Sequence, residues 1–159
     1  MAAGSTPATE ALARAGISFG LHRFDHEPSA QGYGLAAAAA IGADPDRVFK
    51  TLVILADGDP AVAVVPVSCQ LALRQVAGAL GAKRAEMCPV EHAERITGYV
   101  AGGISPFGQR RRLPTVIDET CVLWDTVFVS GGRRGLDLEV APDDLVGLLQ
   151  ATVAAIAAP

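Results

Sequence analysis

Cysteine is scarce in this chain: Cys69, Cys88 and Cys121 are the three among 159 residues, an odd number spaced 19 and 33 apart. That pattern fits neither a disulfide framework nor a CxxC zinc or redox motif, so the thiols are expected to be reduced and mostly packed. Long apolar runs are missing too. The weakly polar stretches Leu35–Ala43 and Leu145–Pro159 are shorter than the roughly 20 residues of a spanning helix. No basic segment followed by an apolar one opens the sequence, so no secretory signal is marked and a cytoplasmic protein is expected. Positive charge is not in excess: 13 basic against 17 acidic residues give a net charge of -4. That balance weighs against autonomous, non-specific nucleic-acid binding, which depends on neutralising many phosphates. The usual catalytic signatures are absent as well. Without a GxSxG elbow, a Walker loop or a Rossmann GxGxxG, serine hydrolase, nucleotide-hydrolysing and dinucleotide readings lose their support.

What is present is core material. Half of the residues are hydrophobic and 19% are charged; a chain of this size buries about 68–70% of its unfolded surface, so one soluble domain over residues 1–159 is expected without a staple. The 17 glycines and 10 prolines fall below the roughly 25–30% of low-complexity chains and read as punctuation.

Thr6-Pro7 predicts a helix start, and Gly16 its end. Ile17, Phe19 and Leu21 alternate as in a half-buried strand ending near Glu27-Pro28. Gly32-Tyr33-Gly34 leads into a helix over 35–41. Two apolar runs, 48–56 and 61–67, flank Asp57-Gly58-Asp59 and predict an antiparallel hairpin. Helical spacing returns at 71–80 and again at 90–96. Strands are expected at 115–117, 126–130 and 136–140, and a last helix carries Leu145, Leu148, Leu149, Val153 and Ile156 on one stripe. About six or seven strands interleaved with four or five helices predict an α/β fold with a mixed, largely antiparallel, barrel-like sheet flanked by helices.

Several features bear on chemistry. His22 and His26 spell HxxxH, but in a strand they stand roughly 13 Å apart, too far to share a metal ion. His92 falls alone in a predicted helix and reads as surface. Lys50 shares a strand face with Val48, Leu52 and Ile54; it either snorkels harmlessly or holds a carbonyl, carboxylate or phosphate oxygen in a pocket. The segment Gly102-Gly103-Ile104-Ser105-Pro106-Phe107-Gly108 is either a plain turn or a backbone cradle for an oxyanion or a terminal ribose. Ser130-Gly131-Gly132 with Asp137 beyond the turn would put a hydroxyl and a carboxylate at one strand end. Arg110-Arg111-Arg112, Arg133-Arg134 and Lys83-Arg84 are short basic groups: solvated surface, or phosphate contacts in a small, guided footprint.

Taken in order, Thr6-Pro7-Ala8, the segment 48–52 (VFKTL), the loop 97–106 (TGYVAGGISP), the stretch 112–118 (RLPTVID) and 129–137 (VSGGRRGLD) resemble the YbaK/EbsC family, free-standing Cys-tRNA(Pro) deacylases related to the editing domain of bacterial prolyl-tRNA synthetases. The resemblance implies a barrel-like mixed sheet with a pocket for the aminoacyl 3′ end of a tRNA. It implies trans-editing of Cys-tRNA(Pro), with Cys-tRNA(Cys) a further substrate, by a deacylase of hydrolase or lyase type in which the substrate's own thiol attacks its ester carbonyl. By position, Lys50 matches the family's essential lysine and Thr51 its neighbour. Gly102, Gly103, Ile104, Ser105 and Pro106 match the GxxxP substrate loop, with Gly102 and Gly103 beside Lys50 as catalytic candidates. Ser130, Gly131 and Asp137 match downstream pocket positions, and Phe24 and Tyr33 the aromatic ones; Phe24 lacks the hydroxyl of the tyrosine expected there. The implied partners are aminoacyl-tRNA and prolyl-tRNA synthetase, and no metal or cofactor is called for. The alternatives are editing of another small residue such as Ala-tRNA(Pro) by water, and a non-catalytic module that binds tRNA or a synthetase.

Overall fold

The computed structural model describes residues 5–25 and 33–159. Helix α1 (Pro7–Arg14) opens with a reciprocal capping box: the Thr6 hydroxyl accepts from the Thr9 amide and the Thr9 hydroxyl from the Thr6 amide. Strand β1 (Gly20–Arg23) is shorter than the alternation predicts, because Ile17 and Phe19 pack onto the core before pairing begins. Its expected end near Glu27-Pro28, His26 and the Gly32 lead-in to the next helix lie outside the described residues. Helix α2 (Tyr33–Ile41) follows.

Strands β2 (Phe49–Ala56) and β3 (Asp59–Pro66) pair antiparallel along their whole length, as the two apolar runs predict. Asp57 (φ 49°) and Gly58 (φ 85°) form the two-residue connection, both left-handed, which matches the twist of the strands they join. The Asp57 carboxylate also accepts the amides of Lys83 and Arg84 at 3.0–3.1 Å, tying the hairpin tip to the next sheet edge.

The chain continues through β4 (Gln70–Leu71), α3 (Leu73–Ala79), β5 (Ala85–Met87), α4 (Val90–Thr97), β6 (Thr115–Asp118), a 3-10 turn (Glu119–Leu123), β7 (Val127–Arg133), β8 (Leu136–Val140), α5 (Pro142–Leu149), β9 (Thr152–Ala154) and β10 (Ala157–Ala158). The expected final helix through Ile156 is corrected here. It ends at Leu149, where Gln150 turns left-handed at φ 50°. Val153 then runs parallel beside Ile117 in β9, and Ile156 is fully buried beneath the hairpin. Its apolar residues serve two different surfaces, and one helical stripe cannot reach both.

A five-stranded sheet has the order β5-β2-β3-β6-β9, antiparallel at one side and parallel at the β3–β6 and β6–β9 steps; β1-β8-β7 and β10-β4 form smaller antiparallel sheets. The mixed, largely antiparallel α/β expectation holds. The barrel-like closure does not, because β5 and β9 remain the two edges of the large sheet among the described residues. One face of that sheet packs Phe49, Val53 and Val64 against Leu12 of α1, Ile96 of α4 and Val129 and Leu138 of β7–β8. The other packs Ile54, Ala63 and Val65 against Val76 of α3 and Ile156.

One gap in this architecture positions the site. β5 pairs with β2 only at Ile54–Ala56, and the Cys88 amide then reaches Val53 O. At the other end, Val48 makes a single parallel bridge to Phe128 of β7. Between those two points the outer edge of β2 has no partner strand among the described residues.

Candidate functional site

That gap opens into a cavity of about 290 Å³ walled by β2, α2, α4, the loop after α4, and β7–β8, near the lower end of small-ligand pockets. Lys50, Thr51, Tyr33, Gly102, Ile104, Ser130 and Asp137, which the sequence places far apart, all line it.

Lys50 and Thr51 come from the unpaired edge. Val48 O accepts from Val67 N on the β3 side, and Val53 O accepts from Cys88 N on the other. Strand alternation therefore turns the Thr51 backbone N–H and C=O toward the cavity. The Thr51 hydroxyl is buried without a hydrogen-bond partner among the described residues. Lys50 is half-buried; loss of hydration pulls its ammonium below the usual lysine range, opposed by the nearby Cys69 thiol.

Asp137 lies on β8 directly across from Ser130 of β7 and His22 of β1, so the three side chains share one face. It is 5% exposed, no donor reaches it among the described residues, and burial pushes its carboxyl up to about 7. The Ser130 hydroxyl accepts the Gly132 amide, leaving its proton to donate into the cavity. Tyr33 enters at the start of α2, and its phenolic oxygen accepts the Gly135 amide at 2.6 Å. Burial raises the phenol, the Gly135 amide lowers it, Asp137 raises it and Arg134 lowers it. Phe24 stands behind Tyr33, ring centroids 6.2 Å apart, and outside the lining. His22 is hydrogen-bonded to Glu139 at 2.9 Å.

The loop after α4 is held at both ends by Tyr99, whose hydroxyl donates to Phe107 O at 2.6 Å. Gly103 N donates to Val100 O at 2.9 Å and Gly102 has φ 86°, a type II turn whose third position requires a left-handed residue. The two glycines thus have different backbone duties. The Gly103 amide closes the turn, whereas the Gly102 amide has no protein acceptor among the described residues and sits on the cavity wall. Gly103 is needed for close approach: a Cβ there would stand 2.7 Å from Arg133 Cα. Ser105 is fully buried, its hydroxyl accepting the Phe107 amide at 3.2 Å. Pro106 lines a separate cavity beside Leu148 and Leu149. Gly131 packs on Leu136 and gives its carbonyl to the Thr6 hydroxyl, linking the β7–β8 bulge to the cap of α1.

Sequence reasoning missed the apolar wall. Met87, Cys88, Val90 and Ala93 line the cavity from β5 and α4, and Met87 and Val90 are 48% and 57% exposed at its mouth. Burial raises the Cys88 thiol, and Arg95 partly offsets that. The three-residue β5 gave no periodic signal, so nothing tied α4 to the edge of β2.

Comparison with known proteins gives a consistent picture. A family model for the aminoacyl-tRNA editing domain matches residues 28–148. EbsC of Enterococcus faecalis (strain ATCC 700802 / V583), named as a candidate Cys-tRNA(Pro)/Cys-tRNA(Cys) deacylase, is 36% identical over 122 residues, 76% of this chain and 74% of that protein. A proline–tRNA ligase of Geobacter sp. (strain M21) is 32% identical over 81 residues, 51% of this chain and 14% of the ligase. The crystal structure of a candidate trans-editing enzyme for prolyl-tRNA synthetase superposes with a TM-score of 0.80, covering 98% of this chain and 99% of that one at 24% identity, a likeness of fold.

Proposed function

Because the chain belongs to the aminoacyl-tRNA editing domain family, with aminoacyl-tRNA deacylation as its class of activity, we propose that it removes cysteine from mischarged Cys-tRNA(Pro), and from Cys-tRNA(Cys) by the same chemistry. The observation that carries this reading is what the cavity offers. Among the described residues it holds one ammonium, one buried carboxyl and the unengaged amides of Thr51 and Gly102 around an apolar slot, and no histidine lines it. The cavity's own thiol, Cys88, is pushed up by burial, which leaves it a poor nucleophile. Such a site suits a substrate that brings its own.

The substrate thiolate attacks the carbonyl carbon of its own ester, the sulfur–carbon bond forms, and the bond to the ribose oxygen breaks. The products are a cyclic thiolactone and tRNA with a free ribose hydroxyl. Lys50 and the Gly102 amide face the carbonyl oxygen and stabilise its developing charge. Asp137, titrating near 7, accepts the thiol proton and returns it to the leaving ribose oxygen, so the step balances without another reactant. Thr51, Ser130, Tyr33 and Ile104 hold the aminoacyl ester. Positioning the thiol near the carbonyl removes much of the barrier. Serine has a scarcely ionised hydroxyl and alanine no nucleophile, so selectivity for cysteine is chemical.

Selectivity of that kind leaves tRNA identity unread, and with a net charge of -4 delivery by prolyl-tRNA synthetase completes the proposal. The names of the compared synthetase and trans-editing enzyme support it.

The test is the deacylation rate of Cys-, Ala- and Ser-tRNA(Pro) with wild type and Lys50→Ala. Loss of cysteine alone, abolished by the substitution, is the expected result. Cleavage of Ala-tRNA(Pro) would transfer the assignment to a second reading that the raised Asp137 carboxyl also supports, in which it activates water. Protection of every ester from hydrolysis would identify a binding module.

A further inference from the structure

Arg134 and Arg110 lie along the outer side of the loop whose inner side walls the cavity. Arg134 is exposed and donates from Nε to Ala101 O at 2.9 Å, and Ala101 is itself a lining residue. A Cβ on Gly102 would stand 2.7 Å from that Nε and 3.3 Å from Cγ, so the arginine arm crosses the rim directly over Gly102. Arg110 lies over Gly98 in the same way, its Nε 3.5 Å from where a Cβ would be, and its Nη1 approaches Arg95 O.

Both guanidiniums are docked on neutral carbonyls, and among the described residues neither forms an ion pair. Among the described residues the side-chain ion pairs go to Glu139, from Arg47 at 3.1 Å and from His22 when protonated. Glu94 accepts the Ala101 amide at 2.8 Å and so holds the loop, and it makes no ion pair with either arginine among the described residues. A guanidinium anchored through one or two N–H groups keeps the others in a fixed fork, the geometry that suits a phosphate. In a chain of net charge -4 two oriented arginines beside a cavity, without an ion pair among the described residues, form a local attraction for an anion.

We infer that Arg134 and Arg110 form a phosphate-binding rim that takes the sugar–phosphate backbone of an RNA 3′ end, with Arg134 on the phosphate nearest the esterified nucleotide and Arg110 farther out. The inference rests on reading the cavity as an aminoacyl-ester site. It gives one arginine of each basic group, Arg110 and Arg134, a purpose: they orient the RNA end, while the cavity performs the chemistry.

Two substrates separate the rim from the cavity: Cys-tRNA, and 3′-O-cysteinyl adenosine, which lacks the preceding phosphate. With Arg134→Gln, KM for Cys-tRNA is expected to rise roughly tenfold at unchanged kcat, and the salt dependence of kcat/KM to become shallower by about 0.7 per lost contact. Cysteinyl adenosine should be cleaved at the wild-type rate. Arg110→Gln should give the same pattern more weakly, and Arg14→Gln, on α1, should change nothing. Equal losses on both substrates would reduce Arg134 to a prop for the loop, and an unchanged salt slope would exclude a phosphate contact; either result overturns the inference. If wild type cleaves neither ester, the deacylase reading fails, and the rim is judged on binding of an uncharged RNA hairpin ending in CCA. Weaker binding by Arg134→Gln, with a shallower salt slope, upholds the rim even then; equal binding ends it.

Discussion

Asp118 and Asp137 are buried to nearly the same degree, 2% and 5% exposed, yet their surroundings differ completely. One oxygen of Asp118 accepts the amide and hydroxyl of Thr120 at 3.2 and 2.6 Å; the other accepts the amides of Ile156 and Ala157, both at 3.0 Å. The carboxylate ties the end of β6 to the turn after it and to the C-terminal segment. Asp137 has no such donors among the described residues and faces the cavity instead. Thr51 and Lys50 follow Asp137: one carries an orphan hydroxyl, the other an ammonium that has lost hydration. Buried polar groups are normally paired because leaving them unpaired is costly. Where several unpaired groups gather around one cavity, the missing partner is a ligand.

The largest effect should come from breaking the satisfied side. Asp118→Ala strands three backbone amides and a hydroxyl, and a loss of about 3–5 kcal/mol in urea-induced unfolding is expected. Deacylation per folded molecule should be unchanged; a small stability loss would mean that Asp118 is no clamp. Lys50→Ala should do the reverse, lowering kcat about 10²–10³-fold while leaving the unfolding midpoint unchanged or slightly raised. A stability loss as large as that at Asp118 would erase the contrast.

Asp137→Asn comes next, and its effect depends on pH. The folded carboxyl titrates near 7, above the unfolded value of about 3.9, so between those values the folded state binds the extra proton. Stability is therefore greatest at and below about pH 4 and is lost as pH rises through 7. Asparagine cannot ionise; the variant should match wild type at pH 4 and exceed it at pH 8 by roughly 2–4 kcal/mol. Its deacylation should be impaired at pH 8 as well. Equal thermal midpoints at pH 8 would show that a donor reaches Asp137.

The sequence announces the frame better than the site's balance of paired and unpaired groups. The β2–β3 hairpin follows from two apolar runs around Asp57-Gly58, and α1 from Thr6-Pro7, because these signals are local. The C-terminal stripe misleads because Val153 and Ile156 keep helical spacing by coincidence, while Val153 stands exposed on the edge strand beside β6 and Ile156 is buried under the far face of the hairpin. Lys50, the glycine loop and Asp137 stood out as residue types, and the resemblance grouped them. What no spacing could reveal is that Gly103 spends its amide on a turn, that Cys88 stands on the cavity wall, or that Arg134 crosses Gly102. Each depends on contacts between segments distant in sequence.

The smallest effect is the sharpest test, because it asks whether a deficit of pairing at one atom has a purpose. The Thr51 hydroxyl is buried with no partner among the described residues. Thr51→Val keeps the branched shape, removes the oxygen and leaves the strand register alone. If the hydroxyl is unpaired in the free protein, its removal relieves a desolvation penalty, and stability should rise by about 1 kcal/mol. If the same hydroxyl is held ready for an aminoacyl ester, kcat/KM should fall by roughly tenfold, one lost hydrogen bond to the substrate. Thr51→Ser, which keeps the oxygen, should retain most of the activity. A gain in stability with no loss of activity would mean that the orphan is a packing defect. A loss of stability would mean that the hydroxyl already has a partner, and Thr51 would then belong with Asp118.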